Sequence, residues 1–126
     1  MRVLLDTVTF LMAVKFPERL SRRALRILES AGDVRELSAI SLTEIATKNA
    51  IKKFAFGKED VLQGVADLQL RLLPFTADHA LHLYELPMQH RDPFDRQIVA
   101  QALVENIPVI TCDQQFRLYK QLTVIW

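Results

Sequence analysis

Four carboxylates from distant parts of this chain, Asp6, Glu44, Asp95 and Asp113, each fall where a strand or loop hands over to a helix. In an open parallel sheet such positions border the crevice at the carboxyl ends of the strands, where ligands bind. Carboxylates about 4 Å apart repel by roughly 4 kcal/mol per pair at an effective dielectric near 20, so a cluster of them needs protonation or a cation. An oxygen-only set selects hard cations, and magnesium or manganese suits it because both accept octahedral oxygen ligation and retain waters. A metal held in this way orients and deprotonates water, polarises a phosphate and stabilises a leaving oxygen, which is the chemistry of phosphodiester hydrolysis. Each acid also has a plainer explanation. Glu44 lies three residues after Ser41, the spacing of a capping box. Asp95 occupies a first turn, where the helix dipole favours any acid, and Asp92 before it has the place of an N-cap. Asp113 can cap a short helix, and Asp6 can close an Asx turn.

The elements that would have to position these groups follow from periodicity. Val3-Leu4-Leu5 is a strand, followed by a helix through Phe10, Leu11 and Val14. Ser21 caps a helix with Ala24, Leu25 and Leu28 on its apolar face, ending at Ala31-Gly32, where the glycine suits a left-handed cap. Leu37 to Ile40 is a second strand, and Ser41-Leu42-Thr43-Glu44 opens the next helix. Lys58 to Gln69 is helical, Leu70 to Phe75 is a strand, and Thr76 caps a helix that Pro87 stops. Asp92-Pro93-Phe94-Asp95 begins a long helix, with an N-cap residue, a proline at the first helical position and an acid in the first turn. Pro108 to Thr111 and Leu122 to Trp126 supply the last strands, separated by a short helix capped by Asp113. Alternating strands and helices build a mainly parallel sheet covered on both faces, so the expected fold is a three-layer α/β/α sandwich.

The chain of 126 residues, 50% hydrophobic, is expected to form a single domain over 1–126. No apolar stretch approaches the roughly 20 residues of a membrane span, and Asp6 interrupts the apolar start where a signal peptide would continue. The single cysteine, Cys112, closes no internal disulfide, which fits a reducing, cytoplasmic setting. A net charge of +1 gives no global attraction for polyanions, so nucleic-acid contacts must be local.

Several segments resemble the PIN-domain family, specifically the VapC-type toxins of bacterial toxin–antitoxin pairs. Leu4-Leu5-Asp6-Thr7 resembles the family's LLDT, and Ser41 to Ala46 with Lys48 resembles S-x-x-E-I-A-x-K. His90 to Arg96 followed by Ala100-Gln101-Ala102 matches HRDPFDR…AQA, the most specific segment, and Thr111-Cys112-Asp113 with Phe116 resembles T-x-D-x-x-F. The resemblance implies a PIN-like fold and a metal-dependent endoribonuclease acting on RNA through Asp6, Glu44, Asp95 and Asp113, with Mg2+ or Mn2+. It places Thr7 and Thr111 as supporting polar groups and Asp92 as an N-cap or a group behind the ligands. It also suggests a homodimer and a cognate antitoxin that inserts a peptide into or near the active groove. Where relatives often carry a histidine after the first Asp-Thr and a tryptophan before the glutamate, this chain has Val8 and Thr43.

Lys48 and Arg96 are the basic residues best placed for phosphate contacts, Arg96 having the alternative of anchoring the Asp92 loop by a salt bridge. Arg22, Arg23 and Arg26, and Lys52 and Lys53, are expected to be solvated helix faces. His79, His82 and His90 lack the partner spacing of a metal site and are expected to be structural. Three other readings compete, and the first, a DNA-directed nuclease, shares the same metal chemistry, so that RNA is favoured by the resemblance alone. A catalytically silent PIN module that binds RNA or a protein partner has no evident need for four acids at one crevice. A phosphoacceptor signalling domain would want an aspartate at the end of the middle strand and a lysine after a late strand, and neither is present.

Overall fold

A computed structural model describes all 126 residues. Five strands, β1 (Arg2–Leu5), β2 (Val34–Ser38), β3 (Arg71–Leu73), β4 (Val109–Ile110) and β5 (Val124–Ile125), form one sheet in the order β3-β2-β1-β4-β5. Every pairing is parallel. Six helices connect or cover them: α1 (Thr7–Lys15), α2 (Arg22–Glu29), α3 (Ala39–Ala50), α4 (Lys58–Asp67), α5 (Ala77–His82) and α6 (Pro93–Glu105). A 3₁₀ turn at Gln114–Leu118 links β4 to β5. No helix is long and apolar enough to cross a membrane.

Successive residues of β1 point to opposite faces. Val3 and Leu5 pack with Phe10, Ala24, Ile27 and Ile45 on the side of α1, α2 and α4, while Leu4 packs with Ile98, Val99 and Phe116 on the side of α6. This is the expected three-layer sandwich, and each fully buried Leu, Ile or Phe contributes about 1.5–3 kcal/mol to it. Helix α4 approaches α1 through Gly64, where an added Cβ would lie 2.8 Å from Val14 Cγ2 and 3.0 Å from Phe10 Cζ.

Three local expectations are corrected. Helix α2 ends through Ser30 in extended backbone, and no glycine has positive φ, so Gly32 is not a left-handed cap. The Arg35 guanidinium instead takes the Ser30 carbonyl and leads the chain directly into β2. The left-handed positions are Lys52, Gln69 and Asn106, the last of which caps α6. The second strand runs Val34–Ser38 rather than Leu37 to Ile40. Helix α3 accordingly starts one turn earlier than expected, with Ser38 as N-cap accepting the Ile40 N–H at 3.0 Å. Ser41 lies inside the helix and accepts a hydrogen bond from the Thr7 hydroxyl at 2.8 Å, so no capping box forms with Glu44.

Candidate metal centre

The strand order reverses direction between β1 and β4, and the loops leaving these two neighbours carry the first and last acids. Such a switch point opens a crevice that side chains from both loops can line. Asp6 follows β1 and N-caps α1, its Oδ1 accepting the Thr9 N–H at 2.9 Å. Its Oδ2 accepts from the Thr111 hydroxyl at 2.7 Å, and Thr111 Oγ1 in turn accepts the Asp113 N–H at 3.0 Å. Thr111 therefore fixes Asp6 and the start of the Asp113 loop together across the switch point. Burial holds the Asp6 carboxyl above its ordinary range, opposed by the hydrogen bonds from Thr9 and Thr111, with the Asp113 charge adding to the rise. Thr7 is one residue further on, but its hydroxyl is committed to Ser41, tying the start of α1 to α3.

Glu44 stands in the second turn of α3 with only 4% of its surface exposed. One oxygen, Oε2, accepts from Lys48 Nζ at 2.6 Å, one helical turn away. The other, Oε1, is buried with no hydrogen-bond partner. A buried acceptor left unpaired costs about 1–3 kcal/mol, more when charged, so Glu44 Oε1 has room for a further partner. The Lys48 ammonium is pushed up chiefly by its bond to Glu44, and Asp92 and Asp95 add to the effect.

Asp92 N-caps α6, its Oδ1 accepting from the Phe94 and Asp95 N–H groups at 2.8 and 3.2 Å. Asp95 sits behind it in the first turn, and its carboxyl is raised to about 7. Burial is the largest cause, and the charges of Asp92, Asp6 and Glu44 add to it, against an opposing contribution from His90. Asp95 thus feels the charges of Asp6 and Glu44, and Asp6 that of Asp113, which places the four sequence-predicted acids in one neighbourhood. Asp113 divides its two oxygens. Oδ1 caps the 3₁₀ turn through the Gln115 N–H at 2.9 Å, and Oδ2 faces His90 Nε2 at 2.9 Å. Capping and site roles therefore coexist at Asp113, because a carboxylate has an oxygen for each.

His90, expected to be purely structural, is instead inside the cluster. Its Nε2 also lies 3.1 Å from Asp95 Oδ2, and the three groups present ligand-type atoms within 4.8 Å of one another. The signal was its position two residues before the Asp92 cap, at the head of the most specific segment; pairwise spacing of histidines does not reveal it. Ser41 was missed as a site-supporting hydroxyl for the same kind of reason, since its partner Thr7 is remote in sequence. Arg96 donates to the Pro87 carbonyl at 3.0 Å, the Leu83 carbonyl at 3.5 Å and the Tyr119 hydroxyl at 3.4 Å. Neither an outward-reaching fork nor a salt bridge to Asp92 is formed, which leaves Lys48 the better placed of the two for an anion. Arg22, Arg23, Arg26, Lys52 and Lys53 are exposed, as expected of solvated faces, and so are Val8 and Thr43.

Asp6, Glu44, Asp95 and Asp113, with a buried unpartnered oxygen at Glu44 and the Asp95 carboxyl raised to about 7, could hold a hard divalent cation.

Comparison with known proteins adds an independent line. A family model described as PIN domain matches residues 3–122. No curated protein matches the chain. Among solved structures, VapBC2 from Rickettsia felis, bound to a DNA fragment from its promoter, superposes with a TM-score of 0.73 at 19% identity, covering 99% of this chain and 98% of that one. DNA-bound VapBC from Salmonella typhimurium gives 0.70 at 17% identity over 99% and 97% of the two chains. FitAcB from Neisseria gonorrhoeae gives 0.66 at 22% identity over 98% and 96%. At these identities the structural likeness is one of fold.

Proposed function

The chain belongs to the PIN-domain family, and from that premise we propose that it is a single-domain, divalent-metal-dependent endoribonuclease and the toxin of a toxin–antitoxin pair. The observation that carries the reading is the state of the acidic cluster. One buried oxygen of Glu44 is unpaired, the Asp95 carboxyl is raised to about 7 by burial with the charges of Asp6 and Glu44 contributing, and Asp113 lies with Asp95 around His90. Lys48 is paired with one of the four, Glu44.

When bound, Mg2+ or Mn2+ would supply activation of a water, polarisation of the scissile phosphate and stabilisation of the leaving oxygen. Asp6, Glu44, Asp95 and Asp113 would hold it. Thr111 keeps Asp6 in place, and Asp92 organises the turn that presents Asp95. The Lys48 side chain, 33% exposed and paired with Glu44, is the group suited to meet a backbone phosphate of the substrate. The solved structures it resembles include complexes from toxin–antitoxin systems, among them VapBC-5 from Mycobacterium tuberculosis. By that likeness the chain is assigned a protein antitoxin as partner, while a homodimer is carried only by the sequence resemblance to VapC-type toxins. A lone Cys112 is compatible with a reducing, cytoplasmic setting.

The test is cleavage of labelled structured RNA, single-stranded RNA and single-stranded DNA by antitoxin-free protein with Mg2+ or Mn2+, beside an EDTA control and Asp95→Asn. Metal-dependent cutting of RNA that the substitution abolishes is the expected result. A folded, metal-binding protein that cuts none of the three would instead be a silent PIN module, and cutting confined to DNA would reassign the substrate.

A further inference from the structure

His90, Asp95 and Asp113 together have the composition of a mixed nitrogen and oxygen metal site. We infer that His90 is not a ligand but a positioning residue, whose Nε2–H bonds the Asp113 carboxylate and lies against that of Asp95 from outside the donor set, so that the cation is bound by oxygen atoms alone. The inference rests on the metal-centre reading above.

The polarity of the ring's hydrogen bonds carries it. His90 Nδ1 accepts the Asp92 backbone N–H at 3.2 Å. A ring nitrogen that accepts has no proton, so in the neutral imidazole the proton is on Nε2. That nitrogen is the one 2.9 Å from Asp113 Oδ2 and 3.1 Å from Asp95 Oδ2, both of them acceptors. Metal-ligating histidines have the opposite polarity: a bare nitrogen faces the cation, and the other nitrogen donates its N–H to a carboxylate or carbonyl. Freeing a lone pair on Nε2 here would move the proton to Nδ1 and set it against the Asp92 N–H.

The surroundings hold the ring in this sense. Asp92 is the N-cap of α6, so its amide direction is set by the helix start that also presents Asp95. The His90 N–H donates to the Tyr119 hydroxyl at 3.0 Å, and the ring stands edge-on to Phe116, with centroids 5.6 Å apart and planes at 86°. Phe116 and Tyr119 belong to or border the turn capped by Asp113. His90 thus joins the segment carrying Asp95 to the segment carrying Asp113: its Nε2–H bonds Asp113 while the Asp95 carboxylate lies 3.1 Å from the same nitrogen.

The decisive experiment is electron spin-echo modulation of Mn2+ bound to the chelator-stripped full-length protein, with histidine at natural abundance and labelled with ¹⁵N. Bound Mn2+ without modulation from a coordinated nitrogen is expected. A coordinated-nitrogen signal that changes with the label overturns the inference. Mn2+ that does not bind the wild-type protein at all overturns the metal-centre reading and this inference with it, an outcome recognisably different from a nitrogen signal. Calorimetry adds a second readout on folded protein. His90→Leu is expected to weaken Mn2+ binding about 10–100-fold, the usual cost of losing a group behind a ligand, and His90→Gln, which keeps an N–H donor at similar reach, to recover most of it. Unchanged affinity in His90→Leu contradicts the positioning role.

Discussion

Helix α6 joins two clusters of buried charge that are built from similar parts and left in opposite states. At its C-terminal end, Glu105 accepts from His79 Nε2 at 2.9 Å and from Arg2 at 3.1 Å. Arg2 also grips the fully buried Glu36 with two donors, and Arg71 Nε stands 3.5 Å from the same carboxylate. At the N-terminal end of α6, His90 Nε2 faces Asp113 and Asp95 as His79 Nε2 faces Glu105, but no arginine arrives. The consequences are opposite. Glu105 is lowered below its ordinary range, first by the His79 bond and then by Arg2, whereas Asp95 is raised to about 7 by burial and neighbouring acids. Saturated carboxylates hold this fold together, and the unsaturated ones are where the proposed cation would bind. Composition alone does not separate the two, because each cluster has a buried histidine beside carboxylates; the count of cationic partners does.

The comparison can be broken most sharply at Asp95. Asp95→Asn is expected to lower nuclease activity at least about 100-fold, since a ligand should matter more than the groups behind it, whose loss already costs 10–100-fold. The same substitution should raise the melting temperature of the metal-free protein at pH 8, because it removes a charge the fold disfavours. Cleavage rates and thermal melts on one preparation check both signs.

Arg2→Ala probes the other end and should do the reverse. Removing one partner of a buried pair costs about 3–5 kcal/mol, and because Arg71 remains near Glu36 the expected loss is about 2–3 kcal/mol by urea denaturation. Mn2+ affinity of the folded protein should stay unchanged. A loss of Mn2+ affinity comparable with that of Asp95→Asn would erase the distinction between the clusters.

The two ends also differ in pH dependence. Asp95 titrates at 3.8 when unfolded and about 7 when folded, so the native state holds more protons between these values. Its contribution to stability is therefore full below about 4 and lost as pH rises through 7. A divalent cation competes with those protons, so the rise in melting temperature on adding Mn2+ should be larger at pH 8 than at pH 5.5. Equal rises at the two values would mean that the metal binds elsewhere. Glu105 works with the opposite sign. Its stability is present above the ordinary 4.5 and lost as pH falls through its lowered folded value. With the Glu105 side chain 27% exposed, Glu105→Gln is expected to show the smallest effect of the four, a slight loss of stability at pH 7 that vanishes in acid melts.

Much of this arrangement is legible in the chain. Asp92-Pro93 announces α6, and the short apolar runs before Asp6 and Asp113 announce two strands whose ends carry acids, because caps and periodicity are local properties. What escapes is set by remote partners. Ser38 and Ser41 are equally good caps by type, and the choice between them depends on Thr7, which takes the Ser41 hydroxyl from α1. Arg96 is a plausible phosphate ligand until the Leu83 and Pro87 carbonyls occupy its fork. His90 enters the site because its ring is clamped by Tyr119 and Phe116, neither of which its sequence neighbourhood reveals.

The most direct test of the central claim is calorimetric titration of Mn2+ into chelator-treated wild-type, Asp95→Asn and Arg2→Ala proteins at pH 8. Binding that Asp95→Asn abolishes and Arg2→Ala leaves intact is the predicted result. Wild-type protein that takes up no Mn2+, or Asp95→Asn that binds as tightly as wild type, would contradict the assignment of the acidic cluster as a metal centre.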